Sequence, residues 1–364
     1  MGYRKGTLEN LGMNKGFWKN RKVFLTGHTG FKGGWTALWL SKMGAKVYGY
    51  SLKPPTKPSF FLLTKLKNQI SQSITGNILD FQTLAKVMKK IKPSIIIHMA
   101  AQPLVRASYN KPIETFRTNV IGTANVLEAA RETSSVRTIV NITTDKCYEN
   151  KERNKAYKEN DKLGGHDPYS SSKACAELVT AAYRKSFFSK SNIGLSSVRA
   201  GNVIGGGDWA VDRLIPDFFK ALDISKPLRI RYPSAIRPWQ HVLDPICGYL
   251  TLAEKLHLKG NKYAEAWNFG PGIDNSRSVS WIIEYLSTKF KRSNYELENI
   301  LQPHESKLLK LDSSKAKKQL GWKNIWDLKT TLNKTVEWYE AFYNSEDMRK
   351  ISIDQINDYE KKLR

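Results

Sequence analysis

A short apolar strand, a glycine-rich turn and a helix follow one another near the N-terminus, and this arrangement constrains the fold more than any other feature. The strand is predicted at Lys22–Thr26, the turn is Gly27-His-Thr-Gly30-Phe-Lys-Gly33, and the helix is predicted over Gly34–Met43. Glycines allow a tight turn and a close backbone approach, and the free N–H groups of a helix N-terminus attract a pyrophosphate. We therefore predict a dinucleotide-binding unit rather than a simple glycine turn.

Short apolar runs alternate with helical segments through the first half of the chain, which is typical of a parallel sheet built from strand–helix–strand units. After about Gly206 the sequence becomes irregular and rich in Trp, Pro and Arg, and a further strand is predicted at Ala266–Gly270. We therefore predict an α/β fold, a Rossmann-type doubly wound parallel sheet with a smaller substrate domain interleaved in the C-terminal half. The strands predicted in the first half are Lys22–Thr26, Lys46–Tyr50, Ser94–Met99 and Thr138–Ile142.

The composition argues against several classes of protein. The 364 residues are 40% hydrophobic, which suffices for a large core, and no apolar run is long enough to span a membrane. A net charge of +26 suits an anionic partner, but the lysines are scattered, so we predict a lysine-rich surface and no nucleic-acid or membrane partner. Widely spaced cysteines (Cys147, Cys175, Cys247) and dispersed histidines predict a reducing cytoplasm, no disulfide framework and no metal site.

Two pairs of side chains carry the candidate chemistry. Tyr169 and Lys173 lie four residues apart on one predicted helix and therefore share a face. The charge of Lys173 is expected to lower the pKa of the phenol, which makes Tyr169 a usable base. Asp145 and Lys146 form a second acid/base pair, although a solvated salt bridge in a loop is the alternative. Such a pair beside a catalytic Tyr suggests oxidation followed by elimination.

The ends of the predicted strands indicate which dinucleotide is bound. The segment Ser51-Leu-Lys53 offers no carboxylate for a ribose diol and no Arg pair for a 2′-phosphate, and we favour NAD because Lys53 alone is poor evidence for a phosphate pocket. Small residues in His98-Met-Ala-Ala101-Gln102 let a cofactor lie close, with ordinary helix packing as the alternative. His28 either faces its loop or crowds the cofactor, and Asn119 has either a structural or a catalytic role.

Longer strings of residues resemble a known family. Gly27-x-x-Gly30-x-x-Gly33, His98-x-Ala-Ala, Asn119 and Tyr169-x-x-x-Lys173 resemble the extended short-chain dehydrogenase/reductase family. Within that family the chain is similar, from about Phe17 to Tyr343, to the nucleotide-sugar 4,6-dehydratases, and in particular to the branch that acts on CDP-glucose. The strings that carry this narrower resemblance are Thr26–Gly33, Thr144–Asn150, Gly164–Lys173, Arg199–Trp209 and Arg237–Asp244.

The resemblance implies a modified Rossmann fold, NAD as the cofactor and a role for each catalytic residue. CDP-D-glucose would become CDP-4-keto-6-deoxy-D-glucose, a precursor of deoxysugars in bacterial surface polysaccharide such as the O-antigen of lipopolysaccharide. Tyr169 would take the C4 hydroxyl proton, Lys173 would hold the nicotinamide ribose, and Thr144 would hydrogen-bond to the C4 oxygen. Asp145 would protonate the departing C6 hydroxyl, and Lys146 would remove the C5 proton. A homodimer paired through the helix containing Tyr169 is also implied.

Binding residues are carried over from the same resemblance. The implied substrate contacts are Arg106, Asn202, Arg213, Arg237 and His304, and a structural ion pair is the alternative for Arg106 and Arg213. The chain departs from other branches at Lys146, where they carry Glu, and at Asn77, where they tend to carry Asp. The implied NAD contacts are Gly27, Thr29, Gly30, Phe31, Lys32, Gly33, Asn77, Ile78, Ala100, Ala101, Gln102, Asn119, Tyr169 and Lys173.

The domain organisation and two rival functions complete the predictions. We predict a disordered extension over 1–16, an NAD-binding domain over 17–205 and 241–270, a sugar-nucleotide-binding domain over 206–240 and 271–345, and a C-terminal tail over 346–364. The nearest rival is another nucleotide-sugar 4,6-dehydratase or a 4-epimerase, although an epimerase would not need the Asp145-Lys146 pair. A catalytically silent NAD-binding sensor would be expected to lose Tyr169, Lys173 or Asp145, and all three are present.

Overall fold

The computed structural model of the protein describes residues 14–153, 155–224, 226–272, 275–290, 295–297 and 309–363. Its strands are β1 (Lys22–Thr26), β2 (Lys46–Ser51), β3 (Gln72–Thr75), β4 (Ile95–His98), β5 (Thr138–Ile142), β6 (Gly194–Ala200), β7 (Asn202–Ile204), β8 (Leu228–Ile230), β9 (Ile236–His241), β10 (Ala266–Phe269), β11 (Ser276–Ser278) and β12 (Tyr295–Leu297). Its α-helices are α1 (Lys15–Trp18), α2 (Phe31–Lys42), α3 (Phe60–Leu63), α4 (Phe81–Ile91), α5 (Val105–Asn110), α6 (Pro112–Phe116), α7 (Gly122–Arg131), α8 (Pro168–Tyr183), α9 (Leu214–Asp223), α10 (Leu243–Lys259), α11 (Val279–Ser287), α12 (Ser314–Leu320), α13 (Leu328–Tyr343) and α14 (Met348–Lys362). Short 3-10 turns occur at Leu66–Asn68, Asp145–Cys147 and Gly260–Tyr263, and π-helical turns at Arg117–Ile121 and Arg184–Phe188.

The large sheet has seven strands in the order β3-β2-β1-β4-β5-β6-β10, and every neighbouring pair is parallel. β4 and β5 are buried along their whole length, as expected for parallel strands with helices on both faces. From β1 the chain builds outward to β3 and then returns to place β4 on the other side of β1. This reversal opens a crevice at the carboxyl ends of β1 and β4, where doubly wound folds bind their ligands. The predicted fold class is confirmed.

A smaller region is built mainly from the elements that lie between β6 and β10 in sequence. β9 pairs in parallel with β7 and antiparallel with β11, and β8 pairs in parallel with β12. Helix α10 then packs on β5 and β6 and leads back to β10 in the large sheet. The two regions are thus interleaved along the chain, while the exact domain bounds stay a prediction. No helix in the described ranges is both long and apolar enough to cross a membrane.

Both ends of the described chain are more ordered than the sequence suggested. Helix α1 begins at Lys15, and Phe17 and Trp18 are buried, whereas residues 1–13 lie outside the described ranges. The segment predicted as a C-terminal tail, 346–364, instead contains helix α14, which packs on α2 and α13. Its Tyr359 hydroxyl donates to Asp244 Oδ1 at 2.8 Å, and Glu360 accepts a hydrogen bond from Trp39 Nε1 at 2.9 Å. This helix was missed because few apolar side chains interrupt its mostly polar sequence.

Candidate active site

The glycine turn between β1 and α2 folds back on itself and on the end of β4. Gly27 has a φ of +79°, and a Cβ added there would lie 2.7 Å from the Ala100 nitrogen. A Cβ added at Gly33 would lie 2.1 Å from the Gly27 oxygen. At Gly30 the nearest atom to an added Cβ is 3.5 Å away, so the protein's own packing does not require glycine at this position. The open space over the N-terminus of α2 suits the close approach of a phosphate.

Side chains of the turn are fixed against the neighbouring strands. The Thr29 hydroxyl hydrogen-bonds to Ser51 Oγ at 2.8 Å and to the Leu52 oxygen at 3.0 Å, which ties the turn to the end of β2. The buried His28 ring packs over Gly49 and hydrogen-bonds through Nε2 to Ser73 Oγ at 2.8 Å. Burial lowers the pKa of His28 to about 4, so the ring is neutral. His28 therefore packs against β2 and β3.

Asn119 links the end of β4 to the helix that carries Tyr169. Its Oδ1 accepts from the Gln102 backbone N–H at 2.9 Å, and its Nδ2 donates to the Gln102 oxygen at 3.1 Å and to Ser172 Oγ at 2.8 Å. The Ser172 hydroxyl donates to the Tyr169 carbonyl oxygen at 2.7 Å. These contacts give Asn119 a positioning role, and they hold the backbone around Ala100 and Ala101 beside helix α8.

Asn77 and Ile78 differ in their exposure. Asn77 is exposed, and its Oδ1 accepts from the backbone N–H of Leu79 at 3.0 Å. Ile78 is buried, and a Cβ added at Gly122 would lie 2.5 Å from its Cδ1 atom. Ile78 therefore packs into the base of α7, and the Asn77 side chain is bound to its own loop.

Thr144, Asp145 and Lys146 follow β5 and begin a 3-10 turn that points into a cavity. The Thr144 hydroxyl donates to Asp145 Oδ1 at 3.1 Å and accepts from the Lys146 backbone N–H at 3.4 Å. Asp145 is 3% exposed, and its Oδ2 has no hydrogen-bond partner among the described residues. Burial raises the pKa of Asp145, although the charges of Lys146, Arg237 and Lys32 act in the opposite direction. A buried carboxyl of this kind can hold and release a proton.

Tyr169 and Lys173 lie on successive turns of α8, and both are buried. Burial raises the pKa of Tyr169 to about 12, against the effect of a hydrogen bond with Thr144. Burial also lowers the pKa of Lys173 to about 7, and the nearby Lys32 charge adds to this effect. The phenol pKa is therefore raised and not lowered as predicted, because burial is the largest effect on Tyr169 and Lys173 itself loses charge near neutral pH.

A buried ion pair that was not predicted supports this catalytic pair. Glu177, four residues after Lys173 on α8, accepts hydrogen bonds from Thr143 Oγ1 at 2.5 Å and from Arg199 Nη2 at 2.8 Å. Glu177 and Arg199 are each 3% exposed, and the charge of Glu177 opposes the lowering of the Lys173 pKa. In the sequence, only the i,i+4 spacing from Lys173 indicated that Glu177 could act on this lysine. The pairing with Arg199 could not be predicted, because Arg199 comes from β6, a distant strand.

The predicted substrate residues surround the same cavity, which has a volume of about 300 Å³. Arg106 is paired with Asp212 at 3.0 Å and Arg213 with Asp208 at 2.7 Å, so the ion-pair alternative describes both arginines in this structure. Arg237 is buried, and His304 lies outside the described residues. The cavity brings together Lys32, Arg106, Thr144, Asp145, Lys146, Tyr169, Asn202, Arg213 and Arg237.

The described residues contain no group of three or more His, Cys, Asp or Glu side chains that could hold a metal ion.

Two tryptophans that lie within the strings Arg199–Trp209 and Arg237–Asp244 differ in position. Trp209 packs against Tyr339 and Phe342 in the core, whereas Trp239 lines the cavity. Trp209 is thus a packing residue.

Comparison with known proteins identifies the family. The family model described as GDP-mannose 4,6 dehydratase matches residues 24–335. The chain belongs to this family. Among relatives of this 4,6-dehydratase, a CDP-glucose 4,6-dehydratase of Salmonella typhimurium is 49% identical over 353 residues, which cover 95% of this chain and 98% of that protein. The predicted resemblance to this class of enzyme is confirmed.

Solved structures share the fold of this 4,6-dehydratase. The epimerase Mth375 of Methanothermobacter thermautotrophicus has a TM-score of 0.80 and 21% identity, covering 95% of this chain and 99% of that chain. A double mutant of DesIV, a dTDP-glucose 4,6-dehydratase from Streptomyces venezuelae with NAD bound, has a TM-score of 0.75 and 21% identity, covering 90% and 99% of the two chains. Both likenesses support the Rossmann-type architecture.

Proposed function

We propose that this hydro-lyase converts CDP-D-glucose into CDP-4-keto-6-deoxy-D-glucose and water. One observation carries the proposal. Asp145 is a buried carboxyl whose Oδ2 has no hydrogen-bond partner among the described residues, and it lines the same cavity as Tyr169, while Lys173 lies one turn further along the helix of Tyr169. A dehydrogenase alone needs the Tyr and the Lys, whereas loss of water also needs an acid for the leaving hydroxyl. The relative that is 49% identical is a CDP-glucose 4,6-dehydratase, which supports the choice of substrate.

NAD is the cofactor that the residues fit. The turn at Gly27, Gly30 and Gly33 leaves space over the N-terminus of α2, and the small residues Ala100 and Ala101 follow β4. β2 ends at Ser51, and the residues that follow it, Leu52 and Lys53, include no arginine pair of the kind that binds the 2′-phosphate of NADP. When bound there, NAD would supply an acceptor for the C4 hydride and a donor for its return to C6, so that no external oxidant would be consumed.

Tyr169 and Thr144 act on the sugar C4 oxygen. Tyr169 accepts the hydroxyl proton as the C4 hydrogen leaves, while the Thr144 hydroxyl hydrogen-bonds to the same oxygen. Lys173 donates to the Ile142 carbonyl oxygen at 3.3 Å and lies one turn further along α8. Its proposed role is to hold the nicotinamide ribose. Oxidation must come first because a C5 hydrogen becomes acidic only when it is α to a carbonyl group.

Lys146 and Asp145 carry out the elimination. Lys146 removes the C5 proton, and Asp145 protonates the C6 hydroxyl as it departs. The raised pKa of Asp145 suits a proton donor, because the carboxyl must be protonated when water leaves. The elimination requires a neutral Lys146 to accept the C5 proton and a protonated Asp145 to release the C6 hydroxyl as water.

The remaining cavity residues bind the nucleotide diphosphate and the sugar. Arg237 suits a diphosphate because a guanidinium forks to two oxygens. Asn202, at the start of β7, lines the cavity and is suited to sugar or phosphate oxygens. Arg106 and Arg213 can exchange their carboxylate partners for phosphate oxygens. His304 stays a prediction from the resemblance.

A second candidate function is nucleotide-sugar 4-epimerisation on the same fold. The epimerase Mth375 shares the architecture with a TM-score of 0.80. An epimerase returns the hydride to C4 and eliminates nothing, so it has no use for a protonated Asp145. The buried acid therefore favours dehydration.

We also propose a homodimer, formed through α8 and the helices or turns next to it. Four large apolar side chains on neighbouring helices or turns are at least half exposed: Ile113, Ile121, Leu178 and Phe187. Covering them with the same surface of a second copy would remove this apolar area from water. Leu178→Asp should therefore give a monomer in sedimentation velocity, whereas Ile224→Asp, at the exposed C-terminal end of α9 in the smaller region, should leave the assembly unchanged. An unchanged assembly in Leu178→Asp would rule out this surface.

The free cysteines and the proposed product indicate where the enzyme works and what its product is used for. All three cysteines are free thiols, which suits a reducing compartment, and we propose that the enzyme works in the cytoplasm. Its product would supply deoxysugars for surface polysaccharide such as the O-antigen of lipopolysaccharide.

Glycine substitutions in the turn separate cofactor binding from folding. In Gly30→Ala the added Cβ fits the protein, so the melting temperature should stay near that of the wild type. The Cβ occupies the space over the helix N-terminus, so the affinity for NAD should fall about tenfold or more. Gly33→Ala should lower both quantities, because its Cβ would overlap the Gly27 carbonyl. Calorimetric titration with NAD and thermal unfolding measure these effects, and full NAD affinity in Gly30→Ala would contradict the assigned cofactor site.

Product analysis tests the proposed function. The purified enzyme with NAD is incubated separately with CDP-, UDP-, dTDP- and GDP-glucose, and the products are examined by mass spectrometry. The proposal predicts the loss of one water from CDP-glucose. Loss of water from one of the other sugar nucleotides, and not from CDP-glucose, would support the proposed dehydration but show that the proposed substrate is wrong. An isomer without loss of water would favour the epimerase.

A further inference from the structure

One carboxylate of the cavity has no place in the proposed mechanism. Asp217 lies in the first turn of α9 and lines the same cavity as the catalytic residues. Its two neighbouring acids are held by arginines, Asp208 by Arg213 at 2.7 Å and Asp212 by Arg106 at 3.0 Å. The Asp217 carboxylate instead has Lys220 at 3.8 Å, and both side chains are about one-third exposed. An exposed contact of this length is weak, so Asp217 can accept a hydrogen bond from a ligand.

Helix α9 runs along the cavity, and its residues lie at different distances from Tyr169. Arg213 precedes the helix, and its charge acts on Tyr169, so this end of α9 lies near the catalytic residues. The Asp217 backbone N–H donates to the Arg213 oxygen at 3.0 Å, which places Asp217 one helical turn further on, about 5 Å along the axis. The largest charges that act on Asp217 come from Lys220, Asp212, Arg231 and Asp208. Asp217 thus lies further along α9 than Arg213 does, on the side of the cavity away from Tyr169.

The surroundings of Asp217 suit a nucleobase. The cavity also contains Arg106 and Arg231, which share Asp212 at 3.0 and 3.5 Å and offer donors to a diphosphate. Leu228 and Ile230 of β8 are buried and line the cavity, so they provide an apolar wall for the face of a base. A glucose at Tyr169 and a diphosphate at these arginines would direct the base toward the Asp217 side of the cavity.

We propose that Asp217 selects cytosine over uracil and thymine by accepting a hydrogen bond from the cytosine 4-amino group. Cytosine presents a donor at this position, whereas uracil and thymine present the O4 oxygen, which a carboxylate oxygen repels. This inference rests on the proposed function, because it deepens the choice of substrate for the same site.

Partial burial supports the assignment. Loss of solvent raises the pKa of Asp217 to about 6, and the neighbouring acids Asp212 and Asp208 add to this effect, against the charges of Lys220 and Arg231. Near neutral pH the carboxyl is thus mainly ionised, and the ionised form accepts from the cytosine 4-amino group and repels the O4 oxygen of uracil. A polar group left facing a like partner in a partly desolvated site gives strong discrimination between ligands.

Exchange of Asp217 for asparagine tests the assignment. An amide can donate to the uracil O4 atom, so Asp217→Asn should lower kcat/KM for CDP-glucose and raise it for UDP-glucose. We expect the wild type to prefer CDP-glucose on the order of 100-fold or more, and the variant to bring the two values to within about tenfold. The change should appear in KM, with kcat for CDP-glucose largely kept, because Asp217 lies on the side of the cavity away from Tyr169. Asp223→Asn, at the exposed end of the same helix, is the matched control and should keep the wild-type preference.

Binding of CMP and UMP gives a second readout that does not depend on turnover. Calorimetric titration of the enzyme with each nucleotide should show a preference for CMP in the wild type and in Asp223→Asn, and little preference in Asp217→Asn. A wild type that prefers CDP-glucose, together with an unchanged preference in Asp217→Asn, would overturn the role of Asp217 and leave the proposed function intact. A wild type that dehydrates UDP-glucose in preference would contradict both.

Discussion

Replacement of Lys146 with alanine should stop turnover of CDP-glucose and leave the enzyme with reduced cofactor and an oxidised sugar. Tyr169 and Thr144 are untouched, so the C4 hydrogen can still be transferred. In the proposed mechanism Lys146 takes the C5 proton, so the variant lacks this base, the enolate does not form, and Asp145 has no departing hydroxyl to protonate. A positioned base typically contributes 10²–10⁴-fold, so we expect a loss of about 10³-fold in turnover.

The absorbance of the reduced nicotinamide measures this effect directly. The Lys146→Ala enzyme mixed with NAD and CDP-glucose should show a lasting rise, whereas the wild type returns to its starting level after each cycle. Lys162→Ala is a suitable control because Lys162 is 78% exposed and pairs with Glu149. Turnover at the wild-type rate in Lys146→Ala would show that a different group is the base.

Replacement of Tyr169 with phenylalanine should block the first step instead. In the proposed mechanism the phenol oxygen accepts the C4 hydroxyl proton, and phenylalanine keeps the ring while removing that oxygen. We expect a loss of about 10³-fold or more in turnover, with no reduced cofactor formed and with NAD affinity little changed. The positive charge of bound oxidised NAD is expected to favour the phenolate form, against the burial that raises the pKa of Tyr169 to about 12.

A mixing experiment with CDP-glucose under single-turnover conditions distinguishes the two variants. Tyr183→Phe is the matched control, because Tyr183 ends the same helix and its hydroxyl donates to Glu128 at 3.2 Å, outside the cavity. If Tyr169→Phe reduced the cofactor as fast as the wild type, the assignment of the proton acceptor would be wrong. Together the two variants divide the reaction into oxidation and elimination.

Much of the fold was predictable because its strands differ sharply in composition from their surroundings. β1, β4 and β5 are short and apolar, and β4 and β5 are buried on both faces, as the sequence indicated. β3, with the sequence Gln-Ser-Ile-Thr, lies at the edge of the sheet, and it was not predicted because no apolar run marks it. Helix α14 was missed for a similar reason, since its contacts to Trp39 and Asp244 join distant parts of the chain.

The sequence allowed us to predict which residues line the candidate site, but not the pKa of Tyr169 or the ion-pair partners of the charged residues. The strings around Thr144 and Tyr169 come from different elements, and the structure places them on one cavity. The direction of the Tyr169 pKa was predicted wrongly, because burial cannot be read from a local spacing of Tyr and Lys. The pairing of Glu177 with Arg199 depends on α8 crossing β6, and the carboxylate partners of Arg106 and Arg213 likewise appear only in three dimensions.

The fate of the C4 hydrogen tests the central claim most directly. CDP-glucose that carries deuterium at C4 is converted by the wild-type enzyme with NAD, and the product is examined by NMR and mass spectrometry. The account predicts a 4-keto-6-deoxy sugar with the deuterium at C6, because the hydride taken from C4 returns within the same active site. Deuterium that remains at C4 in a sugar with inverted configuration, or that accumulates on the cofactor, would contradict dehydration by internal hydride return.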